Sequence, residues 1–278
     1  MTATREQKYN VLRALHERPG VFVIPNPWDA GSAKILTALG FEALATTSGG
    51  AACSRGHLDG SPEMTRDVIL QNAKEIVEAT SLPVSADLQN GFGHPPEICA
   101  ETIRLAAAAA GLAGGSIEDS TGDPKNPIYD FQVATERVAA AAEAAHASHF
   151  LLTARAENFL HGRPDLDDTI RRLQSFAKAG ADVLYAPGLT SLDAIRAVCA
   201  SVPKHVNVLM GLTGATFPVE ELAAVGVKRI SVGGSFARAA LGALVRAARE
   251  VKEKGTFSYA ADALPSAETQ RYLAAPEK

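Results

Sequence analysis

The chain is poor in cysteine: Cys53, Cys99 and Cys199 are odd in number and far apart, with no Cys-x-x-Cys pair. That excludes a disulfide framework and a cysteine-built zinc site, and leaves free thiols in a reducing cytoplasm as the expectation. No apolar run approaches bilayer length; the alanine run at 106–110 stops at Gly111. The first ten residues are polar and charged and lack the apolar centre of a secretory leader. There is no basic excess either, with 27 Lys and Arg against 31 Asp and Glu and a net charge of −4. A nucleic-acid binder usually shows the opposite balance, so neither nucleic acid nor membrane is expected as a partner. Linkers and low-complexity segments are missing, and no Gly-x-Gly-x-x-Gly follows the first apolar run, which counts against a dinucleotide-binding open sheet.

What is present is 46% hydrophobic residues in 278, enough for a large core, laid out as a repeated alternation. Short apolar runs occur at 21–24, 43–47, 83–87, 115–118, 150–154, 183–186, 206–210 and 229–232. Apolar residues at consecutive positions are the mark of buried parallel strands. Helical stripes lie between them, such as Val68, Ile69, Ala73, Ile76 and Val77, or Leu166, Ile170, Leu173, Phe176 and Ala177. Ser191 reads as an N-cap, and Gly40, Gly180 and Gly226 as C-capping glycines before the next strand. Eight alternations predict a single (β/α)8 TIM barrel over residues 1–278. A doubly wound open sheet is the disfavoured alternative. Residues 255–278 read as a C-terminal extension with a short helix at 267–273.

Chemistry in such barrels sits at the C-terminal ends of the strands. Here strand two ends in Thr47-Ser48-Gly49-Gly50, strand three in Asp87-Leu88-Gln89-Asn90-Gly91-Phe92-Gly93, strand four in Glu118-Asp119 and strand five in Arg155-Ala156-Glu157-Asn158. Asp87 and Glu118 are hard oxygen donors on neighbouring strands, which suits Mg²⁺ (or Mn²⁺) held by few protein ligands and several waters. Ser48, Gly49 and Gly50 read as a small-residue turn whose N–H groups face an oxyanion. Arg155 can hold a carboxylate or neutralise an enolate, although a structural ion pair with Glu157 uses the same residue types. Asp119 reads as a helix cap and Cys53 as a packing residue. Trp28 is a candidate pocket wall, and Asn207 a polar residue directed into the barrel mouth. His57, His94 and His161 fall on rim loops and read as surface residues.

This order of motifs, with Asp59 between the second and third, resembles the isocitrate lyase/phosphoenolpyruvate mutase superfamily over residues 11–256. The resemblance implies a (β/α)8 barrel, Mg²⁺ and a small 2-oxo or 2-hydroxy carboxylic acid as substrate. It also implies a homo-oligomer, usually a tetramer, in which the last barrel helix packs on a neighbouring subunit. By resemblance Asp87 binds Mg²⁺ directly, and Glu118 and Gln89 hold it through water. Asp59 is a further acid at the site, while Ser48, Gly49, Gly50 and Arg155 contact substrate; the resemblance also supports Trp28 as pocket wall.

Three departures narrow the activity. Gln89 stands where the family has a second acid. The Lys-Lys-Cys-Gly-His loop of isocitrate and methylisocitrate lyases is absent, the chain reading Asp119-Ser-Thr-Gly-Asp-Pro-Lys125-Asn126. Strand six ends in Tyr185-Ala186-Pro187, without the histidine or glutamate of relatives. Lys125 and Asn126 lie on a candidate lid, at nearly the spacing of the phosphonate mutases, and the same segment also reads as a solvated turn. The expected activity is therefore carbon–carbon cleavage or decarboxylation through an enolate. A phosphonopyruvate-type mutase or hydrolase and a non-catalytic oxo-acid-binding barrel are the alternatives.

Overall fold

Each of the eight apolar runs forms a strand in the computed structural model, which describes residues 3–212, 214 and 216–274. They are β1 Phe22–Ile24, β2 Leu44–Ala45, β3 Val84–Asp87, β4 Gly114–Glu118, β5 Leu151–Arg155, β6 Val183–Tyr185, β7 His205–Leu209 and β8 Arg229–Ser231. The helices are α1 Arg5–Glu17, α2 Ala30–Ala38, α3 Ser48–Ser54, α4 Arg66–Glu78, α5 Pro96–Ala108, α6 Phe131–Ala147, α7 Leu166–Lys178, α8 Leu192–Ser201, α9 Val219–Ala224, α10 Ser235–Lys254 and α11 Ser266–Leu273. All ladders are parallel, in the order β1-β8-β7-β6-β5-β4-β3-β2. The protein is a (β/α)8 barrel.

Closure between β1 and β2 is slight. Among the described residues these strands form no ladder; the Ala45 amide donates to the Pro25 carbonyl at 3.0 Å. Asn26 staples the joint. Its Nδ2 donates to the Thr46 carbonyl at 2.8 Å, and its Oδ1 accepts from the Val232 and Gly233 amides at 2.9 Å each.

Two apolar layers hold the barrel. The main core lies between the strands and the surrounding helices, with Ile76, Ile103, Val138, Phe176, Ile195 and Leu222 fully buried against it. A smaller cluster fills the barrel's lower end, where Leu12 and Leu15 of α1 pack against Phe22, Ile24, Ala43, Leu151 and Val183. The upper interior is polar and open. Gly40, Gly180 and Gly226 take φ of 88°, 108° and 95°, as their place between helix and strand requires. The Ser191 hydroxyl caps α8 by accepting from the Ala194 amide at 3.2 Å.

The last barrel helix covers the barrel with little of its surface: Ala237 is the only buried residue of α10. Phe236, Leu241, Leu244, Val245 and Val251 are exposed, as are Phe257, Tyr259 and Leu264 beyond it. Glu250 turns the chain after α10 by accepting from Thr256, Ser258 and Tyr259. Among the described residues no helix is long and apolar enough to cross a membrane.

Candidate active site

Asp87, Glu118 and Arg155 are each the last residue of their strands at the barrel's upper rim, with Glu118 the register partner of Arg155 and Asp87 that of Ser116, two residues before Glu118. Arg155 lies among three carboxylates. Its Nη1 is 3.2 Å from Asp87 Oδ1, its Nη2 3.2 Å from Glu118 Oε2 and its Nε 2.9 Å from Glu157 Oε1. The guanidinium also sits 5.1 Å from the centre of the Tyr185 ring. Burial works against its charge, but Glu157, Glu118 and Asp87 together outweigh burial and raise its pKa well above normal.

Backbone donors orient Asp87. The Ser48 amide reaches Oδ2 at 3.2 Å and the Gln89 amide reaches Oδ1 at 3.3 Å, while the Asp87 amide donates to Thr46 Oγ1 at 3.0 Å. Ser48, Gly49 and Gly50 are not a free turn but the opening of α3, whose N-cap is Thr47. The reason is steric as well as conformational. A Cβ on Gly50 would lie 2.6 Å from Thr47 Cγ2 and 2.8 Å from Trp28 Cβ, and one on Gly49 would lie 3.1 Å from Asp59 Oδ2.

The loop after β3 is unusual backbone. Gln89, Gly91 and Phe92 have φ of 48°, 80° and 62°, a region ordinary side chains rarely adopt. Arg137 of α6 holds it there, donating to the Asn90, Gly93 and His94 carbonyls. Its guanidinium lies 4.2 Å from the Tyr129 ring centre, and the Tyr129 hydroxyl is 2.7 Å from His94 Nδ1.

Asp119 is not the helix cap it was expected to be; α6 begins at Phe131, after Asp130. It is a buried strut instead, accepting from the Glu157 amide at 2.8 Å and from Arg172 Nη1 at 3.0 Å. Glu157 is thereby fixed next to Arg155.

The rim opens on a cavity of about 720 Å³. Of the expected site residues, Ser48, Gly49, Gly50, Asp59, Asp87, Gln89, Glu118, Arg155 and Asn207 line it. Two do not. Trp28 packs behind Gly50, and Lys125 is exposed in a turn closed by its own amide on Asp123 Oδ1 at 2.9 Å. Cys53, expected to pack, is exposed and borders the cavity. Several lining residues were not foreseen: Asn26, Tyr185, Arg229, Ser231 and Arg238. Tyr185, Arg229 and Ser231 share an inward-facing register with Asn207, and that strand alternation was the available signal.

Acidic charge is in excess here. Burial, first, raises the Glu118 pKa well above its ordinary value; Arg155 opposes this, while Glu157, Asp87 and Asp119 add to it. Asp59 is raised by burial and then by Asp87. A divalent cation would offset this excess, and the donors are the oxygens Mg²⁺ prefers. Among the described residues no three His, Cys, Asp or Glu side chains converge as a metal cluster. Asp87, Glu118 and Gln89 are the oxygen donors on the cavity wall that would hold such an ion.

Fold and rim together define a barrel of enzyme type, with a carboxylate–guanidinium site for a small oxygen-rich molecule. The family model described as phosphoenolpyruvate phosphomutase matches residues 12–252, and the chain belongs to the isocitrate lyase/phosphoenolpyruvate mutase superfamily of carbon–carbon lyases and mutases. A Burkholderia cenocepacia protein, assigned only as a lyase/mutase, has a crystal structure that superposes with a TM-score of 0.95 at 55% identity, covering 98% of both chains. The 2-methylisocitrate lyase of Escherichia coli is 29% identical over 204 residues, 70% of this chain and 67% of that one. The oxaloacetate decarboxylase of Bradyrhizobium diazoefficiens is 27% identical over 208 residues, 72% of this chain and 69% of that one.

Proposed function

We propose that this protein is a Mg²⁺-dependent lyase or decarboxylase that cleaves a carbon–carbon bond of a small 2-oxo or 2-hydroxy carboxylic acid through an enolate. The observation that carries this is the placement of Arg155 between Asp87 and Glu118 on a cavity wall that the α3 opening also lines. Asp87 is the main metal ligand, with Glu118 and Gln89 acting through water. When bound, the ion polarises the oxygen on which charge develops. Arg155 pairs with the substrate's carboxylate, a charge-assisted contact that fixes its plane. Ser48, Gly49 and Gly50 line the substrate side of the cavity; with the Ser48 amide engaged by Asp87 and the Gly50 amide by Thr47, the Gly49 amide is the main-chain donor offered to the substrate. Carbon–carbon cleavage is favoured over carbon–phosphorus chemistry because Lys125, the residue shared with the phosphonate mutases, lies off the cavity. Names of relatives such as 2-methylisocitrate lyase and oxaloacetate decarboxylase support the same side. The protein acts as one barrel domain in the cytoplasm, as a homo-oligomer, with residues 255–278 as an extension.

A panel of 2-oxo and 2-hydroxy acids, assayed with Mg²⁺ and with EDTA, tests this. Release of carbon dioxide or pyruvate is expected with Mg²⁺ or Mn²⁺ and none in EDTA, and Asp87→Ala should be folded and inactive. Phosphate release from a phosphonate would replace the reading with a mutase or hydrolase. Binding without turnover would make this a non-catalytic barrel. Full activity of Asp87→Ala in EDTA would refute the metal assignment.

A further inference from the structure

A line of hydrogen bonds crosses the barrel below Arg155, and the chemistry of its first member sets its direction. Arg229 of β8 is buried, 5% exposed, and borders the cavity. Among the described residues no carboxylate pairs with it, although buried charges are ordinarily paired. Its Nε donates to Asn207 Oδ1 at 2.8 Å and its Nη2 to Thr153 Oγ1 at 2.9 Å. A guanidinium can only donate, so the amide oxygen of Asn207 must face it and the amide nitrogen must turn away. That nitrogen donates to Ser231 Oγ at 3.0 Å. Ser231 thus accepts on one side, and its hydroxyl neighbours that of Tyr185, near enough to act on the phenol's acidity. Among the described residues Arg229 Nη1 is left without a hydrogen-bond partner, and of the two hydroxyls the arrangement that gives each a role sends the Ser231 proton toward the Tyr185 oxygen. The phenol proton is then left over, on a residue that ends β6 and walls the cavity directly beneath the Arg155 guanidinium. Strand six has no histidine or glutamate at this point.

We propose that Tyr185 is a catalytic hydrogen-bond donor to the oxyanion of the enolate-like intermediate, set in that direction by Arg229, Asn207 and Ser231. This rests on the enolate chemistry proposed above. The phenol donates a hydrogen bond and keeps its proton, so no proton or electron balance is altered. Burial raises its pKa, which keeps it protonated and able to donate. Arg229, Asn207 and Ser231 are positioning residues: they act through the phenol. The extra donor complements Arg155, because a phenol can point along one lone pair of an oxygen while the guanidinium holds a carboxylate.

Oxalate is a planar dianion with the oxygen spacing of an enolate, and it serves as the probe. Its affinity with Mg²⁺ present would be measured by calorimetry for the wild type, Tyr185→Phe and Ser231→Ala, alongside kcat and KM on an acid the panel identifies. Losing a hydrogen bond to a charged group should weaken oxalate about tenfold or more in Tyr185→Phe and lower kcat by a similar factor, with KM little changed. Ser231→Ala should lower both in the same direction by a smaller factor, since the phenol remains but its proton is no longer directed. A merely structural role would lower thermal stability and leave kcat per folded molecule alone. Folded Tyr185→Phe with oxalate affinity and kcat within about twofold of wild type overturns the proposal. If Tyr185→Phe does not fold, Ser231→Ala decides by the same criterion. If wild type binds oxalate but turns over no acid, the functional reading fails and the oxalate affinities still judge Tyr185. A wild type that does not bind oxalate overturns both.

Discussion

Around Arg155 the same physical cause acts on several acids. Glu118, Asp59 and Asp119 are all raised first by burial, and Asp119 reaches about 6. An acid whose pKa rises on folding binds its proton more tightly in the native state. Its contribution to stability is then complete below the unfolded value, 3.8 for Asp119, and is lost as pH climbs through about 6. Metal-free protein should therefore lose stability between about pH 4 and 6, by roughly 2–3 kcal/mol from Asp119 alone. Urea unfolding in EDTA across that window should slope downward, and Asp119→Asn should flatten the slope even though it lowers the overall level. A wild-type profile that rises through the same window would show that the Arg172 pair, and not burial, governs Asp119.

Asp87, Glu118 and Arg155 could be read from sequence because each closes an apolar run, where barrel chemistry is expected. Tyr185 and Arg229 could not, because an aromatic that ends β6 and a cation that begins β8 resemble ordinary core and edge residues until the register is known. Trp28 was misplaced for a different reason. It follows β1 as expected, but its Cβ is taken up by the close approach of Gly50, which depends on how α3 packs.

At the level of elements, α3 and the β3 loop show how small residues make room for charge. Gly50→Ala forces a methyl to within 2.6 Å of Thr47 Cγ2 and 2.8 Å of Trp28 Cβ, so α3 must shift and carry the Ser48 amide off Asp87. Overpacking of this kind costs about 1–3 kcal/mol. The expected result is a folded protein with a lower melting temperature and at least about tenfold lower kcat/KM, for a displacement that removes one oriented donor. Gly49→Ala meets only Asp59 Oδ2, at 3.1 Å, and should keep its stability while substrate binding weakens. Equal stability loss in the two variants, read by thermal melting, would contradict this difference in crowding.

The strands were legible: each of the eight apolar runs is one, and Ser191, Gly40, Gly180 and Gly226 do the capping work their types suggest. Geometry across elements was not. The expectation of a turn at 48–50 failed because serine and two glycines read as loop formers, whereas Thr47 caps them into a helix by accepting from the Gly50 amide at 3.3 Å. Arg137 was invisible for a similar reason. It lies mid-helix among alanines, and its purpose appears only when the β3 loop closes over it.

For the molecule as a whole, α10 presents the largest unmet demand. It is a 20-residue helix with one buried residue, followed by further exposed apolar side chains. Leu244 is 63% exposed, more than any other large apolar residue of that helix. Such a face usually marks an interface. A second copy offers the same face, as closed symmetric oligomers require. Light scattering at micromolar concentration should show an oligomer, a tetramer by family resemblance, and Leu244→Glu with Val245→Glu should reduce its mass. A monomeric wild type would refute the assembly.

The joint between β1 and β2 is the soft place in an otherwise laddered ring. From β2 round through β8 to β1 every neighbouring pair of strands shares a parallel ladder. The α3 opening belongs to the same firm arc as the charges, because the Ser48 amide and Thr46 Oγ1 both bond to Asp87. Across the joint run the Ala45 amide and the Asn26 side chain. Few hydrogen bonds cross that seam, so it is where the wall yields at least cost. Breathing there lets the mouth widen while the charges and the donors beside them keep their spacing, a bracelet that opens at its clasp.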